Sequence, residues 1–299
     1  MLTTKLNDFY TILGTGSTFS LDIKGCTRQP KTFHEELLWN AEYLYNNKVG
    51  KINICYSGGI DSEYILELFL YLGMDVNVVV LKYENDLNYH DIKYALDYCE
   101  HKKIKPIIID VNFENFVKSG KIVDVASTVN CVVWQYPIMM DAFSKLDGTI
   151  LLGSDEPHFY KNKETNVWYF DEMERIMAVW DRWYKFNNIP GTPCLLSYSP
   201  ETILAYMNDP LVIDLFDNKV PGKEGTNSSK NIIYNRIFNS IHPRTKYTGF
   251  EKIAELPIFE HPNILKVKTP VSDFHLPGNG VYIIEHRNLR NILENNDKQ

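Results

Sequence analysis

The chain has 299 residues, is 44% hydrophobic and 23% charged, and carries a net charge of −7. That is enough chain for one to two domains with a sizeable core, and an ordinary globular composition. The acidic balance, with no basic run, argues against a surface that grips long nucleic acid.

The first thirty residues are mixed and turn-rich, and read as an N-terminal extension. Within them GTGSTF looks like a phosphate loop, but no clear strand precedes it and no strong helix follows. The stretch KTFHEELLWNAEYLYNN predicts a helix with Phe33, Leu37, Leu38 and Ala41 on one face and Leu44 continuing it. Gly50 breaks that pattern, and an alternation begins. KINICY reads as a strand, SEYILELFLYLG as a helix closed by Gly73, NVVVLKY as a strand and HDIKYALDYCEHKK as a helix. KPIIIDV is a strand, VVWQYPIMMDAFSKL is apolar and largely helical with Pro137 near a helix start or kink, and GTILLGS is a strand. Strands alternating with helices predict a parallel sheet, and near-continuous apolar strands predict burial on both faces.

From about residue 161 the alternation stops. DEMERIMAVWDRWYKF is a helix with Ile176, Val179, Trp180 and Trp183 on one face, and SPETILAYMNDP a second, with Ser199 as N-cap and Pro200 at N1. DNKVPGKEGTNSSK is a polar loop, KNIIYNRIFNSI a helix, and SDFHLPGNGVYIIEHRNL a tail with one turn and one β-like run. The expected fold is α/β, a parallel sheet flanked by helices with a mainly helical C-terminal part. The expected division is 1–30 as extension, 31–160 as a nucleotide-type α/β domain, and 161–299 as a helical region completing the site.

The five cysteines are odd in number and widely spaced, which gives neither a disulfide framework nor a CxxC metal clip, so reduced thiols are expected. MLTTKLNDFY lacks a basic start followed by an apolar core, and no apolar run approaches the ~20 residues of a membrane span. A soluble, cytoplasmic protein with no membrane association is the expectation.

The chemistry concentrates in SGGIDS, between the first strand of the alternation and its helix. Gly58 and Gly59 let the backbone turn with its amides exposed, and a helix N-terminus behind them makes an anion site. Ser57 and Ser62 add hydroxyl donors. Asp61 would repel a phosphate unless it holds Mg²⁺, which bridges both. The stretch is not a Walker A loop, which needs GK[ST] after four residues. A helix-capped corner between strand and helix is the structural alternative.

SGGIDS resembles the PP-loop of the N-type ATP pyrophosphatase superfamily, whose members include asparagine synthetase, GMP synthetase, NAD synthetase and several tRNA-modifying enzymes. The resemblance implies an adenine nucleotide alpha hydrolase-like fold that cradles the pyrophosphate of ATP, with cleavage between the α- and β-phosphates and transfer of AMP to a substrate oxygen. ATP and Mg²⁺ are the implied cofactors. TILLGSDEPHFY is similar to the second signature of the asparagine synthetase and β-lactam synthetase group, which implies Asp155 as the second Mg²⁺ carboxylate beside Asp61. SSKNIIYNRIFNSIHPRTKYTGFEK resembles that group's C-terminal stretch. It implies that Lys246 reaches the α-phosphate or acyl intermediate, with Arg244 in support, and that Lys230 touches the pyrophosphate. The adenine is expected against Val80, Leu81 and Lys82.

Three departures matter. Residue 2 is Leu rather than the nucleophilic Cys of glutamine-dependent asparagine synthetases, so no in-chain glutaminase is expected. Nitrogen would come from free ammonia, a separate ammonia-supplying partner or an amine on the substrate. Leu152 stands where those enzymes carry a Glu, and Pro157, His158 and Phe159 replace glycines, which points to a rebuilt acceptor pocket. The expected activity is an AMP- and pyrophosphate-forming ligase acting on a small carboxylate or carbonyl-type substrate. The alternatives are a tRNA-modifying PP-loop ATPase, which the acidic charge and cysteine spacing disfavour, and a non-catalytic nucleotide-binding protein.

Overall fold

The computed structural model describes residues 10–13, 20–129, 131, 133–153, 157, 159–161, 164–165, 167–170, 173–218, 229–238, 241, 244, 248–268 and 289–294. The strands are β1 (Tyr10–Leu13), β2 (Ser20–Ile23), β3 (Ile52–Cys55), β4 (Val76–Tyr83), β5 (Ile107–Val111), β6 (Thr149–Leu152), β7 (Phe159–Lys161), β8 (Trp168–Phe170) and β9 (Gly191–Thr192). The first helices are α1 (Phe33–Asn46), α2 (Ile60–Tyr71), α3 (Tyr89–His101), α4 (Phe113–Lys118), α5 (Lys121–Val129), α6 (Tyr136–Phe143) and α7 (Met173–Asn187). They are followed by α8 (Pro200–Met207), α9 (Pro210–Asn218), α10 (Ser229–Asn235), α11 (Glu251–Ala254), α12 (Pro262–Lys268) and α13 (Leu289–Leu293).

Five strands form one sheet in the order β5-β4-β3-β6-β9, every pair parallel. From β3 the chain winds outward through β4 to β5, then returns to lay β6 on the other side of β3. The order therefore reverses between β3 and β6. In an open α/β sheet such a reversal leaves a crevice beyond the carboxyl ends of the two strands, where ligands bind.

Burial on both faces explains the apolar sequences of β3, β4 and β6, whereas β5, at the edge of the sheet, leaves Ile107 and Ile108 exposed against expectation. Side chains alternate across a strand. Ile52, Ile54, Val78, Val80 and Leu151 enter one apolar cluster, with Leu37, Leu44, Tyr64, Leu68, Leu196 and Tyr234. Cys55, Val79, Ile150 and Leu152 enter the other, with Phe116, Ile138, Phe143, Trp180, Trp183 and Ile264. Each cluster draws on residues from both halves of the chain, and β9 joins the sheet from beyond residue 160.

Local signals fix several boundaries. Thr32 and Glu35 form a reciprocal capping box at α1. Ser199 caps α8 by accepting from the Thr202 N–H, with Pro200 at its first position. Pro137 sits in the first turn of α6. The helix expected over 62–73 begins earlier, at Ile60, because Gly59 serves as its N-cap. The helix expected over 230–241 stops at Asn235.

GTGSTF, residues 14–19, lies outside the described residues; the strands before and after it, β1 and β2, pair antiparallel. Helices α4, α5, α9, α11, α12 and α13, the antiparallel pairs β1–β2 and β7–β8, and β9 were not expected. The loop expected over 217–230 and the tail over 272–289 lie largely outside the described residues.

All five cysteines are free thiols, and Cys55, Cys99, Cys131 and Cys194 are buried. Among the described residues, no helix is long and apolar enough to cross a membrane.

Because β3 is the central strand and Ile54 is fully buried in it, Ile54→Ala should lower unfolding stability by about 2–5 kcal/mol. Urea denaturation measures it through a fall in the midpoint at unchanged slope.

Candidate functional site

β3 hands the chain to α2 through Tyr56, Ser57, Gly58 and Gly59. The Tyr56 N–H extends the ladder by donating to the Val79 carbonyl at 2.8 Å, and Ser57 then leaves the sheet. Gly58 is required twice over. Its φ is +84°, and a Cβ there would stand 3.0 Å from the Ala95 nitrogen and 3.2 Å from the Asp91 carbonyl oxygen. The loop is therefore pressed against the first turns of α3. Gly59 caps α2 without a side-chain bond. Ser62 Oγ donates to the Gly59 carbonyl at 2.9 Å and lies 3.3 Å from Ser57 Oγ. A twelve-residue helix thus presents its positive end at the crevice.

β6 closes the other side. Gly153, the residue after it, lies so close to α2 that a Cβ would fall 2.4 Å from Ser62 Cβ and 2.7 Å from its Cα. Leu152 is buried beside it.

Beyond the ends of β3, β4 and β6 lies a cavity of about 150 Å³. Its apolar walls include Cys55, Val79, Leu81, Met139, Phe143, Leu152 and Phe250, and its polar lining includes Ser57, Asn88, Asp91 and Thr248. Asn88 caps the stretch of β4 that runs past β3. Its Nδ2 donates to the Leu81 carbonyl at 2.9 Å, and its Oδ1 accepts from the Tyr83 N–H at 2.9 Å. The Leu81 carbonyl retains a second lone pair. Burial pushes the Cys55 thiol well above its ordinary range, which keeps it a neutral wall residue.

The outer wall is supplied by residues 248–251, clasped to the start of α3. His90 Nε2 lies 3.0 Å from Glu251 Oε2, and the Thr248 N–H and hydroxyl both donate to Glu251 Oε1 at 2.7 Å. Gly249 takes φ +79°, with Asp91 Oδ2 3.2 Å from where a Cβ would be. Desolvation alone would raise the Glu251 pKa, but the bonds from His90 and Thr248 outweigh it and hold it at about 2.

Two carboxylates in the first turn of α2 reach toward the C-terminal stretch. Asp61 Oδ1 accepts from the Tyr234 hydroxyl of α10 at 2.8 Å. Glu63 Oε2 accepts from the Tyr56 hydroxyl and from Arg244 Nη2, each at 2.6 Å. Burial, with Glu63 beside it, drives the Tyr56 phenol far above its ordinary range, so it stays a donor.

The structure thus places Ser57 and Leu81 in the cavity lining, with Gly58, Gly59, Asp61 and Ser62 on the adjoining loop and first turn of α2. Lys230 lies in α10, one turn ahead of Tyr234. Asp155, His158 and Lys246 lie outside the described residues. Their described neighbours Gly153 and Thr248 line the cavity, and Arg244 is at the loop. Glu63, Tyr56 and Tyr234 were not anticipated. An acidic residue directly after SGGIDS was the available signal for Glu63, but its partner lies 181 positions away. Among the described residues, no group of three or more His, Cys, Asp or Glu side chains is arranged to hold a metal ion. No protein-family model matches the chain, and no curated protein matches it significantly.

Gly153→Ala should force β6 and α2 apart, at a cost of about 1–3 kcal/mol as an overpacked contact; thermal unfolding reads this as a lowered Tm. Glu251 has a folded pKa of about 2 against an ordinary 4.5, so its bonds stabilise the fold above pH 4.5 and are lost as the pH falls toward 2. The Tm difference between wild type and Glu251→Gln should be constant above that window and shrink within it.

Proposed function

We propose that the chain is a PP-loop ATP-binding protein, an AMP- and pyrophosphate-forming synthetase that activates a small carboxylate or carbonyl-type substrate for attack by ammonia or an amine. The observation that carries this reading is the juxtaposition at the sheet reversal. A helix N-terminus with no side-chain cap bond, on a glycine loop, lies beside an apolar cavity at the ends of β3, β4 and β6. The first recognises phosphate, and the second suits a purine ring.

The residues present fit that ligand. Gly58 and Gly153 let the loop and the end of β6 pack directly against α3 and α2, which holds the loop at the mouth of the cavity. Ser57 and Ser62 supply hydroxyls, and Leu81 with Leu152 gives flat apolar surface. Mg²⁺, when bound, would neutralise phosphate charge, with Asp61 as the described carboxylate to hold it and Asp155 as its expected partner. The Tyr234 hydroxyl orients the Asp61 carboxylate. The loop amides would stabilise the departing pyrophosphate, Lys230 would neutralise it, and Lys246 would meet charge growing at the α-phosphate. Thr248, Gly249 and Phe250 line one side of the cavity. Catalysis on this reading is positioning plus charge stabilisation.

Leu152 bears on the acceptor. Its side chain is buried in the cavity wall, where a carboxylate would be poorly solvated. The absence of a carboxylate at this position supports an acceptor other than aspartate.

Pyrophosphate release measured over a panel of amino acids, other carboxylates, amines and tRNA tests the proposal. Release that depends on a small carboxylate is expected. Dependence on tRNA would favour the RNA-modifying alternative, and ATP binding without turnover a nucleotide sensor. Asp61→Ala should abolish turnover, and full activity in that variant would refute the metal assignment.

A further inference from the structure

Arg244 is placed with unusual care for a residue in a connecting segment. Its Nη2 donates to Glu63 Oε2 at 2.6 Å, and the pair is largely removed from water, with side-chain exposures of 14% and 2%. The same Glu63 oxygen takes the Tyr56 hydroxyl at 2.6 Å, from the residue that begins the loop. The guanidinium carbon lies 5.4 Å from the centre of the Tyr94 ring, a cation–π approach. Tyr94 in turn backs the loop, with its Cβ 3.3 Å from where a Cβ on Gly58 would be. Arg244 therefore sits next to the loop on three supports, the carboxylate, the aromatic face and, through Glu63, the end of β3.

Those supports leave Nε unused: it is buried and has no hydrogen-bond partner among the described residues. A buried guanidinium N–H without an acceptor is costly, and such groups in a site call for an explanation. Arginine presents its donors as a planar fork suited to phosphate oxygens, and a carboxylate on one arm fixes the plane of that fork.

We propose that Arg244 is a phosphate-binding residue of this site and that Glu63 is the positioning residue that aims it. The proposal rests on the ATP-binding reading above and adds a specific contact to it. Glu63 fixes the guanidinium through Nη2, and an oxygen of the phosphate chain on the Ser57–Ser62 loop accepts from Nε. Arginine at this place also offsets Asp61 and Glu63, two acidic residues in the first turn of a helix that must receive an anion.

Calorimetric titration with ATP, inorganic pyrophosphate and adenosine tests this. A charge-assisted hydrogen bond contributes enough that Arg244→Met should weaken ATP and pyrophosphate by about ten-fold or more, while adenosine, which has no phosphate, keeps its wild-type affinity. Removing one member of a buried pair strands the other, so Glu63→Gln with Arg244→Met is the companion variant. It should recover a Tm near that of wild type and still show the phosphate-specific loss. Wild-type affinity for ATP and pyrophosphate in both variants would overturn the proposal. So would a parallel loss of adenosine affinity in the double variant, which would make the pair a structural brace. A wild-type chain that binds none of the three ligands would overturn the ATP-site reading itself, and this contact with it.

Discussion

A strand buried on both faces has only one way out, through the gap its neighbours leave at its carboxyl end. β3 meets this constraint at Tyr56, and the rest of the site follows from it. The chain must turn at once, between the first turns of α3 and the end of β6. Only residues without a Cβ fit at Gly58 and Gly153, and the helix that starts in the gap must leave its first amides facing the crevice.

The electrostatics answer a problem set by the sequence. α2 begins with Asp61 and Glu63, which complement the helix dipole but oppose an incoming anion. Each is engaged from the C-terminal stretch, Asp61 by Tyr234 and Glu63 by Arg244. Residues 248–251 complete the cavity from the same part of the chain. The loop and the stretch that follows α9 therefore form one electrostatic unit, although the sequence between them exceeds half the chain.

Much of the α/β layer was legible because its signals are local. Continuous apolar strands bounded by glycines and by Asn/Asp-containing turns identified β3, β4, β5 and β6, and their alternation with helices implied a parallel sheet. α5 was missed although Ile122, Ala126 and Val129 are spaced for a helix face, since its polar and β-branched residues blur the pattern. β9 has two residues and becomes a strand only through its pairing with β6. At the site, the SGGIDS stretch announced its own geometry. Its supports did not, because Tyr234, Arg244 and Gly249 reach it through long-range packing that no spacing encodes.

The central claim is that one crevice holds a whole nucleotide, base in the apolar cavity and phosphates on the loop. A crystal structure of the chain with Mg²⁺ and the α,β-methylene analogue of ATP, whose α–β linkage cannot be cleaved, tests it most directly. The account predicts the purine between Leu81 and Leu152 and the β- and γ-phosphates on the Ser57–Ser62 amides. A nucleotide bound elsewhere, or one whose phosphates point away from that loop, would contradict it.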